Sequence, residues 1–477
     1  MSDLLITNAA AIVTGLQGAA ARHAGPDIRV TDGRIAALGR LEALPGERVV
    51  DATDCVVYPG WVNTHHHLFQ SLLKGDAAGI DLPLTPWLAA TPYRFRAAFD
   101  EPLFRLAARI GLVELLRSGC TTVADHNYLY WPGMPFDSSA ILFEEAERLG
   151  MRFVLCRGGA TQTRQLEADL PACLRPETLD GYLADVERVA KRWHDPSPDA
   201  MRRVVSAPTT PLYSMAPAEL RTVAAEARRL GIRLHSHLSE TVEYQNAAHG
   251  KYGTTPVRFA AEQDWLGSDV WFAHLVKLDH EEIALLGATG TGVAHCPQSN
   301  GRLGSGIAPI RQLEAAGAPI SIGVDGAASN EAADMISETH AAWLMQRARG
   351  GQDARPAHRG GTFEGGADAA TVEDVVRWGT AGGARVLGLS GLGTLEVGMA
   401  ADIAVYALDD PRYFGLHDIA IAPVASGGRP ALRLLTVAGK PVVEHDTIPG
   451  LDLAELGREA RRAVARLLSS PGTVPVL

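Results

Sequence analysis

The sequence predicts an α/β chain: a (β/α)8 TIM-like barrel with a small β-sandwich formed from both chain ends. Three observations carry this. Between about residue 55 and residue 326, short β-branched or apolar runs alternate with longer stretches of helical period. There are eight such runs, the number that closes a barrel. Histidines and carboxylates gather at the C-terminal ends of these runs, the face on which barrels build their sites.

In chain order the strand candidates are 55–62 (CVVYPGWV), 121–126 (TTVADH), 152–157 (RFVLCR), 203–208 (RVVSAP), 232–237 (IRLHSH), 270–275 (VWFAHL), 291–296 (TGVAHC) and 319–324 (PISIGV). Helices with apolar spacing of three and four are expected over 101–118, 138–149 and 217–230, each stopping near a glycine (Gly119, Gly150, Gly231) that can take the left-handed capping conformation. Short alternating strands lie at 3–14 and 27–39, and again at 402–407 and 432–443, so the two ends are expected to meet in one sandwich. The division predicted is 1–58 with 390–450 for the sandwich, 59–389 for the barrel and 451–477 for a C-terminal helical segment. The stretch 350–370, rich in Gly, Ala and Arg, reads as a loop over the barrel mouth or a surface excursion.

Composition narrows the function. A formal net charge of -11 argues against a tracker of nucleic-acid phosphates, which needs clustered Lys and Arg. A small-molecule substrate is the expected partner, with no nucleic acid and no membrane, and a homo-oligomer is the expected assembly. Cys55, Cys120, Cys156, Cys173 and Cys296 are scattered and never spaced CxxC, so neither a disulfide framework nor a cysteine metal site is expected. The N-terminus lacks the basic start and long apolar stretch of a secretory signal, which with the cysteines suggests a cytoplasmic protein.

The chemistry-bearing residues come from four strand ends. In PGWVNTHHHLFQ, His65 and His67 lie two apart on extended backbone and so project to the same side. LHSHLSET contributes His235, His237 and Glu240, WFAHL contributes His274, and SIGVDGAASN contributes Asp325. Imidazoles and one carboxylate form a donor set suited to Zn²⁺ or Fe²⁺ with room for a reactive water. His235 and His237 share a face, and spacing alone does not choose between them. His126 and His295 are further strand-end histidines suited to hydrogen bonding behind the site, to packing, or to substrate.

These segments resemble the amidohydrolase superfamily, and within it the branch of guanine, cytosine and triazine hydrolases. The match covers PGxxxxHxH (Pro59 to His67), HxHxxE (His235 to Glu240), Ala273–His274, GVDG (Gly323 to Gly326) and GMAADIAVY (Gly398 to Tyr406). The resemblance implies His65, His67, His237 and Asp325 as ligands of one divalent metal, zinc with iron as the alternative, and Glu240 with His274 as the catalytic pair. His235 matches the less essential histidine. Lys74 and Lys277 do not fall at strand ends, so a carbamylated lysine and a second metal are not expected. The segments NTHHHLFQSLLKG, LTPWLAATPYRFR, PGMPFDSSAILFEEAE, RGGATQTRQLEADLP and HCPQSNGRL are most similar to deaminases of oxidised pterins, with 8-oxoguanine deaminases next.

The implied reaction is hydrolytic deamination of an aromatic amino-heterocycle such as isoxanthopterin or pterin 6-carboxylate, with ammonia released. Glu240 would move a proton from water to a ring nitrogen, and Asp325 would pass one to the departing amine. Gln70 and Arg157, with the aromatic residues Trp87, Tyr93 and Tyr128, are the expected substrate contacts. Deamination of guanine or 8-oxoguanine, removal of chloride or an alkylamine from an s-triazine, and deamination of an adenosine-type thioether are rivals using the same chemistry. A non-catalytic scaffold would have lost donors that are all present here. A cytidine-deaminase-type zinc site is excluded, because Cys296–Pro297 has no second cysteine nearby.

Overall fold

The structure is a computed structural model that describes residues 3–163, 171–353 and 369–470. Eight parallel strands close a barrel: β1 (Trp61–His67), β2 (Cys120–Asn127), β3 (Arg152–Arg157), β4 (Arg202–Ser206), β5 (Arg233–Leu238), β6 (Val270–His274), β7 (Gly292–His295) and β8 (Ile320–Ile322). The ring shuts where Ile322 of β8 pairs with Asn63 of β1. Most of these strands are buried along their whole length, as expected when helices cover one face and the barrel interior covers the other. Val62, Ala124, Val154, Trp271 and Ala294 pack together in one cluster, while a larger apolar layer lies between strands and helices.

The helices follow their local signals. Glu101–Arg117 starts on Asp100, whose carboxylate accepts from Leu103 N, with a proline in its first turn. Ser138–Leu149 starts on Asp137 and ends at Gly150, whose φ of 72° is the left-handed cap anticipated from sequence. Pro217–Arg229 fills the third predicted position.

The candidate strand 55–62 needs correction. Cys55–Pro59 does not enter the barrel; it pairs antiparallel with Ile403–Ala407 in a separate sheet. The chain changes sheets at Gly60, whose N–H donates to Asp402 O at 2.9 Å, while Trp61 N donates to Gly119 O at 3.0 Å. A Cβ at Gly60 would lie 2.3 Å from the Thr121 side chain, so a glycine is required at this crossing. A run buried on both faces has no alternation to mark where one strand stops and another starts.

Both chain ends build a two-sheet sandwich. One sheet has the order Arg34–Gly39, Asp27–Thr31, Leu4–Thr7, Arg48–Asp51; the other runs Lys440–Glu444, Leu432–Val437, Ile403–Ala407, Cys55–Pro59, Ala11–Ile12. Leu4, Ile6, Ile28 and Val30 pack against Val57, Ile403, Val405 and Leu434. Two buried polar contacts fasten sandwich to barrel. Arg152 Nη2 meets Asp402 Oδ1 at 3.1 Å, and Trp61 Nε1 donates to Tyr406 OH at 2.7 Å, which in turn donates to Ser118 O at 2.8 Å.

The stretch 350–370 begins inside the helix Met335–Asp353, and 354–368 lie outside the described residues. The C-terminal segment contains the helix Leu453–Ser469, which buries Leu456, Ala463 and Leu467; 471–477 lie outside the described residues. Among the described residues no helix is long and apolar enough to cross a membrane.

Candidate metal centre and active site

Three imidazoles are oriented by hydrogen bonds on their far sides. His67 Nδ1 donates to His126 O at 2.7 Å and His237 Nδ1 to Thr209 O at 2.6 Å, so on each ring the neutral form leaves Nε2 as a bare lone pair. His235 Nδ1 lies 3.0 Å from Trp271 O, which makes His235 Nε2 the acceptor for His65 Nδ1–H at 2.8 Å. His65 therefore also presents Nε2. These nitrogens converge with Asp325: His67 Nε2 to His237 Nε2 is 3.2 Å, His67 Nε2 to Asp325 Oδ1 is 3.1 Å, and His65 Nε2 to Asp325 Oδ1 is 3.3 Å.

Acceptors facing acceptors repel unless a cation lies between them. The donor atoms of His65, His67, His237 and Asp325 all fall within 4.8 Å of one another. Ligands about 2.0–2.1 Å from a tetrahedral zinc would be roughly 3.3 Å apart, close to the separations found here. Burial drives His65 and His237 well below the usual imidazole range, which favours the neutral, ligating form. With no cation between the facing acceptors a proton is favoured there instead: although burial opposes both charges, Asp325 raises the His67 imidazole above its ordinary value, and His65 and His67 as donors hold the Asp325 carboxyl well below the carboxylate range.

His237 belongs to this group of four and His235 stands behind His65 as its hydrogen-bond partner, which separates the two histidines that spacing could not. His65, His126 and His235 form a second close group, but the contact from His65 to His235 already occupies both facing nitrogens. His126 Nε2 donates to Ala207 O at 2.8 Å, and His295 Nε2 lies 3.3 Å from Gln346, so both serve the surroundings of the site.

Asp325 follows β8 with φ of 60°, and His274 at the end of β6 has φ of 76°. Both are uncommon for residues with a side chain, and such conformations concentrate at functional sites. Close approach explains the glycines of GVDG: a Cβ on Gly323 would lie 2.7 Å from His65 Cβ, and one on Gly326 would lie 1.9 Å from Gln70 Oε1. Asp325 Oδ2 accepts from Ser299 Oγ at 2.6 Å. The next residue along, Asn300, places Oδ1 2.9 Å from His274 Nδ1. One short helix, Pro297–Arg302, thus holds both groups in place.

Glu240 Oε2 lies 3.7 Å from His274 Nε2, and Ser305 Oγ donates to Glu240 Oε1 at 3.3 Å. Burial pushes the Glu240 carboxyl above its ordinary range, with Asp325 adding to the effect and His274 opposing it. A carboxyl shifted toward neutrality is suited to taking up and returning a proton.

His67, His237, Glu240, His274 and Asp325 line a cavity of ≈ 190 Å³. Gln70, Trp87, Tyr93 and Tyr128 line it, as does Arg96, which was not among the sequence candidates. Gln70 Nε2 donates to Tyr128 OH at 2.9 Å, leaving Gln70 Oε1 buried without a partner.

Arg157 is the correction here. It is not among the residues lining the cavity. Its guanidinium is held by Glu177 at 2.6 and 2.8 Å and by Asp185 at 3.0 Å, between the rings of Tyr130 and Tyr182. At the end of β3 it faces the helical layer. Replacing Arg157 by Met is expected to lower unfolding free energy by about 3 kcal/mol, the low end for breaking a buried ion pair because both carboxylates keep some solvent. Denaturant titration measures this, and an unchanged midpoint would contradict a structural role.

Sequence reasoning also missed the carbonyls of His126 and Thr209, because side-chain patterns carry no record of backbone acceptors. Ser299 and Asn300 were present in the HCPQSNGRL segment, but nothing local indicated which strand ends they would reach.

Residues 56–442 match the Amidohydrolase family. An isoxanthopterin deaminase from an unknown prokaryotic organism is 71% identical over 97% of this chain and 97% of its own length. The crystal structure of an amidohydrolase from an environmental sample of the Sargasso Sea superposes with a TM-score of 0.85 at 63% identity, covering 98% of this chain and 99% of that one. The zinc complex of an atrazine chlorohydrolase from Arthrobacter aurescens TC1 gives a TM-score of 0.87 at 27% identity, covering 97% of this chain and 100% of that one.

Proposed function

Because this chain belongs to the amidohydrolase family and is a hydrolytic deaminase, we propose that its substrate is an oxidised pterin, such as isoxanthopterin or pterin 6-carboxylate, from which it releases the 2-amino group as ammonia. The observation that carries this reading is the extent of the likeness to the isoxanthopterin deaminase, which spans nearly the whole of both chains. An aromatic-walled cavity with a few polar groups suits a flat heterocycle.

One divalent ion, zinc by preference and iron as the alternative, would be held by His65, His67, His237 and Asp325; the zinc complex of the chlorohydrolase supports zinc. When bound, such an ion supplies acidity, bringing the pKa of a water toward 7. Glu240 takes the proton of the attacking water and delivers it to a ring nitrogen beside the amine-bearing carbon. His274, steadied by Asn300, orients the attacking oxygen from beside Glu240. Asp325 passes the remaining proton to the amine, so that neutral ammonia departs. Gln70, Trp87 and Tyr128 position the ring. A cytoplasmic setting is part of the reading, supported by five free and buried thiols.

The expected result is a kcat/KM for isoxanthopterin or pterin 6-carboxylate at least roughly tenfold above those for guanine, cytosine and adenosine, a margin of about 1.4 kcal/mol. Ammonia release measured across these compounds decides it. Guanine or a chlorinated triazine as the best substrate would sink the pterin assignment.

A further inference from the structure

Buried guanidinium groups need carboxylates, and this chain supplies them where the fold depends on it: Arg152 has Asp402, and Arg157 has Glu177 and Asp185. Arg96 is different. Among the described residues it pairs with no carboxylate; its bond is from Nη2 to Tyr130 O at 2.6 Å, with the Trp131 ring centroid 5.8 Å away. Its Nε is buried and has no hydrogen-bond partner. The nearby carboxylate of Glu177 is engaged by Arg157. Yet Arg96 lines the same cavity as Glu240 and Asp325. Desolvation lowers its pKa from the ordinary arginine value, with Tyr93, Tyr128 and Glu177 opposing the effect.

We propose that Arg96 forms an oxyanion subsite, binding a carboxylate or ionised ring oxygen on the edge of the substrate away from the amine under attack. This rests on the pterin reading and adds to it a determinant of which pterins are taken. A guanidinium has five N–H donors in a planar fork, and among the described residues only one of them bonds within the protein. The rest match the two oxygens of a carboxylate in parallel, or one ring oxygen singly. The binding also orients. With the oxyanion edge fixed at Arg96, a flat ring loses its freedom to turn within the cavity that Glu240 and Asp325 also line.

The test uses the full-length, zinc-loaded protein and three substrates: pterin 6-carboxylate, isoxanthopterin and unsubstituted pterin. Arg96→Gln is expected to lose about 10- to 100-fold more kcat/KM on the carboxylate than on unsubstituted pterin, the usual range for a charge-assisted hydrogen bond. Arg96→Lys should recover part of that loss, as a point charge without the fork. A selective loss on isoxanthopterin in place of the carboxylate would identify the ring oxygen as the bound group. Equal losses on all three compounds, or none on any, would overturn the subsite. Should the wild-type protein deaminate no pterin, the substrate reading fails separately. Arg96 is then judged by calorimetric binding of lumazine 6-carboxylate against lumazine. If Arg96→Gln does not fold, the same comparison on the wild-type protein, with 7-oxolumazine added as a third ring, decides the matter, and equal affinity for all three rings overturns the proposal.

Discussion

Replacing Glu240 with glutamine is expected to lower turnover by roughly 10²-fold or more while leaving the metal in place. The amide keeps the volume of the carboxylate and can still meet Ser305 and His274, so the cavity wall should hold its shape. What is lost is the ability to accept a proton from water and return it to the ring. Glu240 is outside the group of four donors, so metal content and fold should match the wild type. Steady-state kinetics beside metal analysis of the same preparation makes the test, and near-normal turnover would remove Glu240 from the mechanism.

The second large effect is expected at His67. Its Nε2 is the donor closest both to His237 and to the Asp325 carboxylate, so His67→Ala takes away a ligand and the atom that keeps two others facing inward. Metal and activity should fall together, with turnover down by roughly 10³-fold or more, beyond the 10- to 100-fold usual for losing a residue that merely supports a ligand. His235→Asn should fall in that milder range, because His235 acts on His65 from behind. Full metal occupancy in His67→Ala would count against its place among the ligands, and two tightly bound metals per wild-type chain would refute the single site.

How far the sequence could be read depends on what kind of signal each feature leaves. Alternation on extended backbone put His65 and His67 on one side, and a barrel gathers its strand ends at one mouth, so residues as distant as His65 and Asp325 could be expected together. The choice of His237 over His235 came from the superfamily likeness; the physical basis is a pair of carbonyls, Thr209 O and Trp271 O, that leave no trace in side-chain pattern. Arg157 misled because a strand-end arginine can face the mouth or the helices, and the partners that settle it, Glu177 and Asp185, lie in a later segment. Arg96 sits beyond the short, irregular helical turns Leu84–Leu88 and Ala89–Tyr93, where no single period shows which side chains point inward. The sheet change at Gly60 was hidden by a run that is apolar on both faces.

That sheet change also imposes an order of events on synthesis. Trp61 and Tyr406 bond across 345 positions, and the neighbouring strand Cys55–Pro59 needs Ile403–Ala407 as its ladder partner. At about 5–20 residues per second, the early strand waits roughly 20 to 70 s on the ribosome for the late one. Throughout that interval one edge of an apolar strand is open, covalently joined to the barrel strand that carries the two leading histidines. Nascent chains halted before residue 403 should therefore be the species that chaperones hold and that aggregate first.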